Sequence, residues 1–143
     1  MNAEIITVGT ELLLGDIVDS NSQFLAKELA SYGIDVQYQS TVGDDTARLG
    51  QVLSLAMGRV DLVVIAGGLG PTPDDLTRET VCAALNLPQV LHEESWERIQ
   101  EYFKNTGREL SENNQKQAML PQGCTVFPND HGTAPGCAVE RYL

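Results

Sequence analysis

The chain has 143 residues, of which 42% are hydrophobic and 20% are charged, enough apolar material for one folded domain and too little charge for a disordered chain. Nine Lys and Arg against twenty Asp and Glu give a formal net charge of −11, which argues against a nucleic-acid or anionic-membrane partner, because both need a basic face. A nucleotide ligand is still compatible with this charge, since a divalent metal inverts the local field of clustered carboxylates.

Targeting and redox features are absent from the sequence. No apolar run approaches the length of a membrane span, and the N-terminus lacks the basic start of a signal peptide. Cys82, Cys124 and Cys137 stand far apart in the sequence without a CxxC pair, so neither a disulfide framework nor a structural zinc site is expected. The sequence predicts a cytoplasmic protein whose thiols are small buried hydrophobic side chains.

The first half of the chain alternates strand-like and helix-like segments. The β-branched run at 5–8 predicts a buried first strand. Residues 20–23 have the spacing of a capping box that begins a helix, and Gly33 suits the position just past its end. Alternation over 35–42 predicts a second strand, and an apolar stripe over 49–56 predicts a second helix.

The run Leu62–Ile65 is apolar on both faces, which is typical of a central parallel strand. Two helices are predicted after it, one from about Thr77 and one that places Trp96 on its apolar face. A short helix near 114–119, a strand around 125–127 and a loop over 129–136 complete the pattern. Because no repeat or linker interrupts it, we expect one α/β domain over residues 1–143.

The most informative segment is the sequence GGLGPTPDD at residues 67–75. It lies between a predicted strand and a helix, where open α/β sheets bind their ligands. Gly67, Gly68 and Gly70 allow successive N–H groups to point at an anion, and the following helix adds its positive N-terminal end. Asp74 and Asp75 follow at once, so the segment predicts a phosphate or metal site.

Acidic residues also follow the other two predicted strands. Glu11 comes after the first strand, and Asp44 and Asp45 come after the second. Because neighbouring parallel strands end at one edge of a sheet, we expect Glu11, Asp44 and Asp75 to face one pocket. Carboxylates from separate loops suit Mg²⁺ or Mn²⁺. The alternative for Asp44 or Asp45 is a helix N-cap.

These segments carry a resemblance to known proteins. GGLGPTPDDLT (67–77) is similar to the GGTG-type loop of the molybdenum-cofactor domains, the MogA, MoaB, MoeA and gephyrin superfamily. GTELLLGDIVDSN (9–21) and TVGDD (41–45) resemble its MoeA-like branch. LGPT at 69–72, NQKQAMLP and GTAPG together resemble the N-terminal domain of the CinA family, the competence/damage-inducible proteins. The resemblance spans nearly the whole chain and implies a three-layer αβα sandwich with a mainly parallel sheet.

The resemblance also implies roles for individual residues. Glu11, Asp44 and Asp75 match the acids of the superfamily's metal and phosphate site, and Asp45 or Asp74 is expected to orient a water molecule. The remaining expected ligand contacts are Gly67, Gly68, Gly70, Thr72, Thr77, Asn21, Lys116, Gly132 and Thr133. We expect Arg78 on the solvated surface and His92 in a structural role at a helix start.

For CinA-type domains the resemblance implies divalent-metal-dependent hydrolysis of ADP-ribose to AMP and ribose 5-phosphate. One alternative is molybdopterin binding or adenylyl transfer, and another is a non-catalytic module that orients a deamidase domain. The expected partners are a nucleotide sugar or pterin phosphate and further copies of the chain in a homo-oligomer. No general base is evident from the sequence.

The sequence also departs from the family pattern near its end. Residues 138–143 look like the start of a strand that in the family leads into a Leu-Pro-Gly-Pro loop, which is not present here. The nicotinamide-mononucleotide deamidase domain of the family is also expected to be absent. Cys137 stands where an aromatic residue is expected.

Overall fold

The computed structural model describes residues 1–141. Its main sheet has three parallel strands in the order β2–β1–β3, namely β1 (Asn2–Val8), β2 (Asp35–Val42) and β3 (Leu62–Ala66). The central strand is therefore β1, which is almost entirely buried, and the prediction that 62–65 is central is wrong for the described residues. An apolar run indicates that both faces of a strand are covered, but it does not show whether one or both of its edges pair with other strands.

Helices cover both faces of this sheet. The helices are α1 (Thr10–Leu13), α2 (Ser20–Ser31), α3 (Thr46–Met57), α4 (Thr77–Leu85) and α5 (Glu93–Thr106), of which α5 has its main contacts with residues 112–118 and not with this sheet. On one face, the Thr7 hydroxyl of β1 reaches Asp19 at the start of α2. On the other face, Ile6 and Val8 form the core with Leu49 and Leu53 of α3. The predicted α/β architecture, with helices on both faces of a parallel sheet, is confirmed.

The second half of the chain adds two small antiparallel pairs. β4 (Gln89–Leu91) pairs with β5 (Met119–Pro121), and β6 (Thr125–Phe127) pairs with β7 (Gly136–Ala138). A 3₁₀ helix, Glu112–Ala118, precedes β5. Of these strands only β6 is predicted from the sequence. The strand expected over 138–143 differs from the structure, since β7 ends at Ala138, and Tyr142 and Leu143 lie outside the described residues.

Two helix ends test the capping predictions. Gly33 has a φ of 74° directly after Tyr32, the C-cap of α2, as predicted. The capping box at 20–23 is wrong, because the N-cap is Asp19, whose carboxylate accepts the Ser22 N–H at 3.0 Å. Asp19 also accepts the Thr7 hydroxyl at 2.7 Å, so it satisfies a helix donor and a strand hydroxyl together. His92 is the N-cap of α5, in agreement with its predicted structural role.

The three thiols are brought together by the fold. Cys82 is buried in α4, and Cys124 and Cys137 are half-buried at the β6–β7 pair. Burial, followed by the neighbouring Cys124 thiol, raises the pKa of Cys137 to about 11. At neutral pH Cys137 is therefore a protonated packing side chain. No helix in the described part of the chain is long and apolar enough to cross a membrane.

Candidate phosphate-binding site

The glycine loop, residues 67–75, begins directly after β3. Gly67 and Gly68 have φ angles of 101° and 65°, in the region that favours glycine. A Cβ atom on Gly67 would lie 2.2 Å from the carbonyl oxygen of Val8, and one on Gly68 would lie 2.2 Å from Oγ1 of Thr77. The loop is therefore pressed between the end of β1 and the start of α4, and no larger residue fits at these positions.

Thr77 holds this loop from the side of α4. Its hydroxyl donates to the carbonyl of Gly67 at 2.8 Å, and its N–H donates to the carbonyl of Gly68 at 3.2 Å. Thr77 is buried. The hydroxyl expected to contact a ligand therefore gives its proton to the loop, and its first role is to fix the conformation of the two glycines.

Asp75 closes the glycine loop on itself. Its Oδ2 atom accepts the N–H of Thr72 at 2.9 Å and the Thr72 hydroxyl at 2.6 Å. A Cβ atom on Gly70 would lie 2.6 Å from the same oxygen. Burial acts to raise the pKa of Asp75, but hydrogen bonds from Thr72 and Gly70 and the charge of Lys116 outweigh it and hold the pKa below its ordinary value. Asp75 is thus ionised and stabilises the conformation of the loop through hydrogen bonds.

Lys116 lies behind the glycine loop. Its ammonium group donates to the carbonyls of Thr72 and Asp75 and pairs with Glu79 at 3.2 Å. An ammonium has three hydrogens, so these contacts use all of its donors. The structure therefore gives Lys116 a role in holding the loop, in place of the predicted direct contact with phosphate.

Glu11 and Asp44 follow β1 and β2 at the same edge of the sheet. The Oδ2 atom of Asp44 accepts the N–H and the hydroxyl of Thr10, at 3.2 and 3.0 Å. Glu11 is the next residue and is exposed, and its carboxylate lies over Gly9, where a Cβ would be 2.6 Å from Oε1. The two neighbouring strand ends therefore bring two acids to one edge, as the sequence predicts.

A preassembled three-acid metal site is not formed in this structure. Within residues 1–141, no three His, Cys, Asp or Glu side chains are grouped so that they could hold a metal ion. Asp75 turns Oδ2 into its own loop and Asp44 likewise turns Oδ2 toward Thr10, and of the three predicted acids Glu11 and Asp44 are exposed whereas Asp75 is half-buried. Mg²⁺ commonly binds through one or two carboxylates together with substrate phosphates, so a metal ion at this edge would need the phosphates of a ligand as well as these acids.

Three other predicted site residues are distributed around this edge. Asp45 is the N-cap of α3 and accepts the N–H of Arg48 at 2.9 Å, so the capping alternative is correct for it. Asp74 is exposed at the tip of the glycine loop, and Asn21 is exposed in the first turn of α2.

The loop 129–136, between β6 and β7, lies against the glycine loop. Arg78, only 4% exposed, donates to the carbonyl of Leu69 at 2.8 Å and to that of Pro135 at 3.1 Å. The prediction that Arg78 is solvated is therefore wrong. The amide of Gln117 donates to the Thr133 hydroxyl at 2.9 Å. Neither contact has a local sequence signal, because the partners are 57 and 16 residues apart.

A groove of about 600 Å³ lies on the other side of the same loop, against α5. It reaches Gly132 and Thr133 but includes neither the glycine loop nor the acids of the sheet edge. The groove is therefore distinct from the candidate site at the strand ends.

In open α/β sheets ligands bind in the crevice at the carboxyl ends of the strands, and the glycine loop of this α/β domain lies at that edge. Residues 4–143 match the family described as "probable molybdopterin binding domain". The chain belongs to this family and, within it, to the CinA type, which confirms the resemblance seen in the sequence.

Relatives and solved structures support this assignment. The chain is 52% identical over 141 residues to a competence-damage inducible protein of Clostridium acetobutylicum and 54% identical over 140 residues to one of Acetivibrio thermocellus. It covers 34% of each, so it spans about a third of the length of these relatives, while 99% and 98% of its own residues are matched.

A crystal structure of CinA from Thermoplasma acidophilum, described as a protein of unknown function, has a TM-score of 0.84 and 36% identity, covering 96% of this chain and 82% of that one. MoaB from Thermus thermophilus, a molybdopterin biosynthesis enzyme, has a TM-score of 0.56 and 23% identity, covering 82% and 70%. The second likeness concerns the fold alone.

Proposed function

We propose that this domain binds a phosphate-bearing nucleotide at the glycine loop and hydrolyses the pyrophosphate of ADP-ribose with the help of Mg²⁺ or Mn²⁺. The observation that carries the proposal is the loop itself. Gly67 and Gly68 lie in left-handed conformations between the end of β1 and the start of α4. Backbone amides in such a turn, together with a helix N-terminus, form an anion-binding concavity.

The reaction adds one water molecule across the pyrophosphate. Oxygen attacks one phosphorus, the bond from that phosphorus to the bridging oxygen breaks, and the products are AMP and ribose 5-phosphate. A bound divalent metal neutralises charge on the phosphates and favours ionisation of water. In this proposal Glu11 and Asp44 hold that ion, and the amides of Gly67 and Gly68 orient one phosphate, since the Gly70 N–H already donates to Asp75. Asp45 already caps α3, so we assign the orienting of water to Asp74.

Gly68→Ala is the sharpest test of this function. A methyl group there would meet Oγ1 of Thr77 at 2.2 Å, with the residue held at a φ of 65°, so the loop must change shape. Gly33→Ala is the matched control, because Gly33 has a similar φ of 74° but nothing within 4 Å of the added atom. We expect metal-dependent AMP release, measured by chromatography, to be lost in Gly68→Ala and kept in Gly33→Ala. Equal AMP release by the two variants would refute the role of the loop.

Pterin phosphate is the second candidate ligand, and the family description favours it. Molybdopterin binding or adenylyl transfer could use the same loop, because both need a phosphate held at the sheet edge. Adenylyl transfer would consume ATP and release pyrophosphate, whereas binding alone would raise the melting temperature without a product. Stabilisation by a pterin phosphate but not by ADP-ribose would select this candidate.

A non-catalytic role is the third candidate. The relatives are about three times longer than this chain, and a binding module within such a protein would orient another domain. This role predicts that ADP-ribose and Mn²⁺ stabilise the protein while no AMP appears.

We also propose that the chain forms a homo-oligomer, on the basis of the exposed apolar side chains between residues 13 and 24.

A further inference from the structure

Two loops meet beneath the proposed phosphate site, and one side chain joins them directly. Arg78 is in the first turn of α4. Its Nη1 donates to Leu69 of the glycine loop and its Nη2 donates to Pro135 of the loop 129–136. The guanidinium has a fixed planar geometry, so the two carbonyl groups are held at a set separation.

Arg78 is also an unusual buried charge. Its Nε–H group is buried without a hydrogen-bond partner, and both of its bonded acceptors are neutral carbonyl groups. Burial lowers the pKa of Arg78, against the opposing influence of Cys137, Glu79 and Asp75. A buried cation without a bonded carboxylate carries a desolvation cost. An anion bound on the adjoining glycine loop would offset part of that cost.

A second connection joins the same two loops. Lys116 and Gln117 are neighbours in the 3₁₀ helix, and Lys116 holds the carbonyls of Thr72 and Asp75. Gln117, which is buried, donates to Thr133. Two separate sets of contacts thus connect the glycine loop to the loop 129–136.

We propose that Arg78 is a positioning residue that fixes the loop 129–136 against the glycine loop, so that binding of a pyrophosphate anion and ordering of this loop stabilise each other. The coupling rests on the proposed function, which supplies the anion. The positioning role does not, because the contacts of Arg78 exist without a ligand.

Arg78→Met tests this proposal, and the chain offers a matched control in Arg98→Met. Arg98 also contacts the loop, through Asp130 at 2.8 Å, but both side chains of that pair are largely solvent-exposed, and such pairs contribute little. The first measurement is the backbone ¹⁵N order parameter of residues 132–134 without ligand. The second is the dissociation constant of inorganic pyrophosphate in the presence of Mg²⁺.

In the wild type and in Arg98→Met we expect order parameters of about 0.85, and in Arg78→Met values below about 0.6. Pyrophosphate should bind about tenfold more weakly to Arg78→Met, because binding must then also order the loop 129–136, and within twofold of the wild type to Arg98→Met. Arg78→Lys keeps the charge but cannot span both carbonyl groups, so it should restore thermal stability without restoring order in the loop. If the Met variant does not fold, the Lys variant supports the same comparison.

Unchanged order parameters in both Arg78 variants would overturn the positioning role. Loss of order without weaker pyrophosphate binding would overturn the coupling. If pyrophosphate fails to bind even the wild type, the proposed function and the coupling both fail, while the order parameters still decide whether Arg78 positions the loop.

Discussion

At the scale of single residues, the ion pair between Glu4 and Arg59 makes the stability of the fold depend on pH. Glu4 on β1 is fully buried, and its carboxylate accepts bonds from Nε and Nη2 of Arg59 at 2.9 and 2.8 Å and from the Ser40 hydroxyl at 2.7 Å. The Arg59 guanidinium lies over the Tyr38 ring, with Cζ 3.7 Å from the ring centroid. Burial acts to raise the pKa of Glu4, but the bonds from Arg59 and Ser40 outweigh it, so the pKa lies below the ordinary 4.5.

The contribution of ionised Glu4 to stability can be measured from the pH dependence of the unfolding free energy. Because the folded pKa is lowered, ionised Glu4 contributes its full stabilisation above the unfolded pKa, and this is lost as the pH falls through the folded pKa. At pH 7 we expect Glu4→Gln to lower the unfolding free energy by about 2 kcal/mol, because charged hydrogen bonds are lost while Arg59, 28% exposed, stays partly solvated. The difference from the wild type should shrink as the pH is lowered below 4.5. Urea unfolding across this range measures it, and a pH-independent difference would contradict the prediction.

At the scale of elements, the helix α2 is joined to β1 by its cap. Asp19 binds the Ser22 N–H and the Thr7 hydroxyl, and the Thr7 hydroxyl lies 3.1 Å from that of Thr41 on β2. One carboxylate thus connects the start of a helix to two adjacent strands. Its bond to Thr7, near the end of β1, places the start of α2 and therefore Asn21 at the carboxyl edge of the sheet.

Replacing this cap distinguishes the observed arrangement from the one that the sequence suggests. Asp19→Ala should lower the unfolding free energy by about 1–2 kcal/mol, because a helix donor and a strand hydroxyl lose their acceptor. Ser20→Ala, which removes the residue predicted to be the cap, should change it by less than about 0.5 kcal/mol. Chemical denaturation of both variants provides the measurement. The reverse order of effects would mean that Ser20 caps the helix.

The elements that the sequence predicts are those with local signals. Gly33 ends α2, Thr77 begins α4, and the glycine loop follows β3, because each depends on residues close together in the chain. The short pairs β4–β5 and β6–β7 depend on partners distant in sequence, and three residues are too few to show a period. The sequence predicts the acids at the sheet edge where they lie, but the hydrogen bonds that occupy Asp75 and Lys116 arise only when the loop closes.

At the scale of the whole molecule, one stretch of surface is strongly apolar. Exposed hydrophobic side chains are concentrated between residues 13 and 24: Leu13, Leu14, Ile17, Val18 and Phe24. Val18 is 87% exposed and Phe24 is 61% exposed. Clustered exposed apolar residues on a domain mark surfaces that another molecule covers. The net charge of −11 argues against an anionic partner, whereas a second copy can present the same apolar patch in a twofold interface.

We therefore expect the wild type to be an oligomer and the double variant Val18→Asp/Phe24→Asp to be a monomer with a mass near 15.5 kDa. Two introduced carboxylates in each copy would be buried opposite like charges, at a cost that an interface of this kind does not offset. Leu55→Asp is the control, because Leu55 is 58% exposed on α3, outside the patch. Size-exclusion chromatography with light scattering gives the mass. A monomeric wild type would exclude the interface, and dissociation by Leu55→Asp would place it on α3.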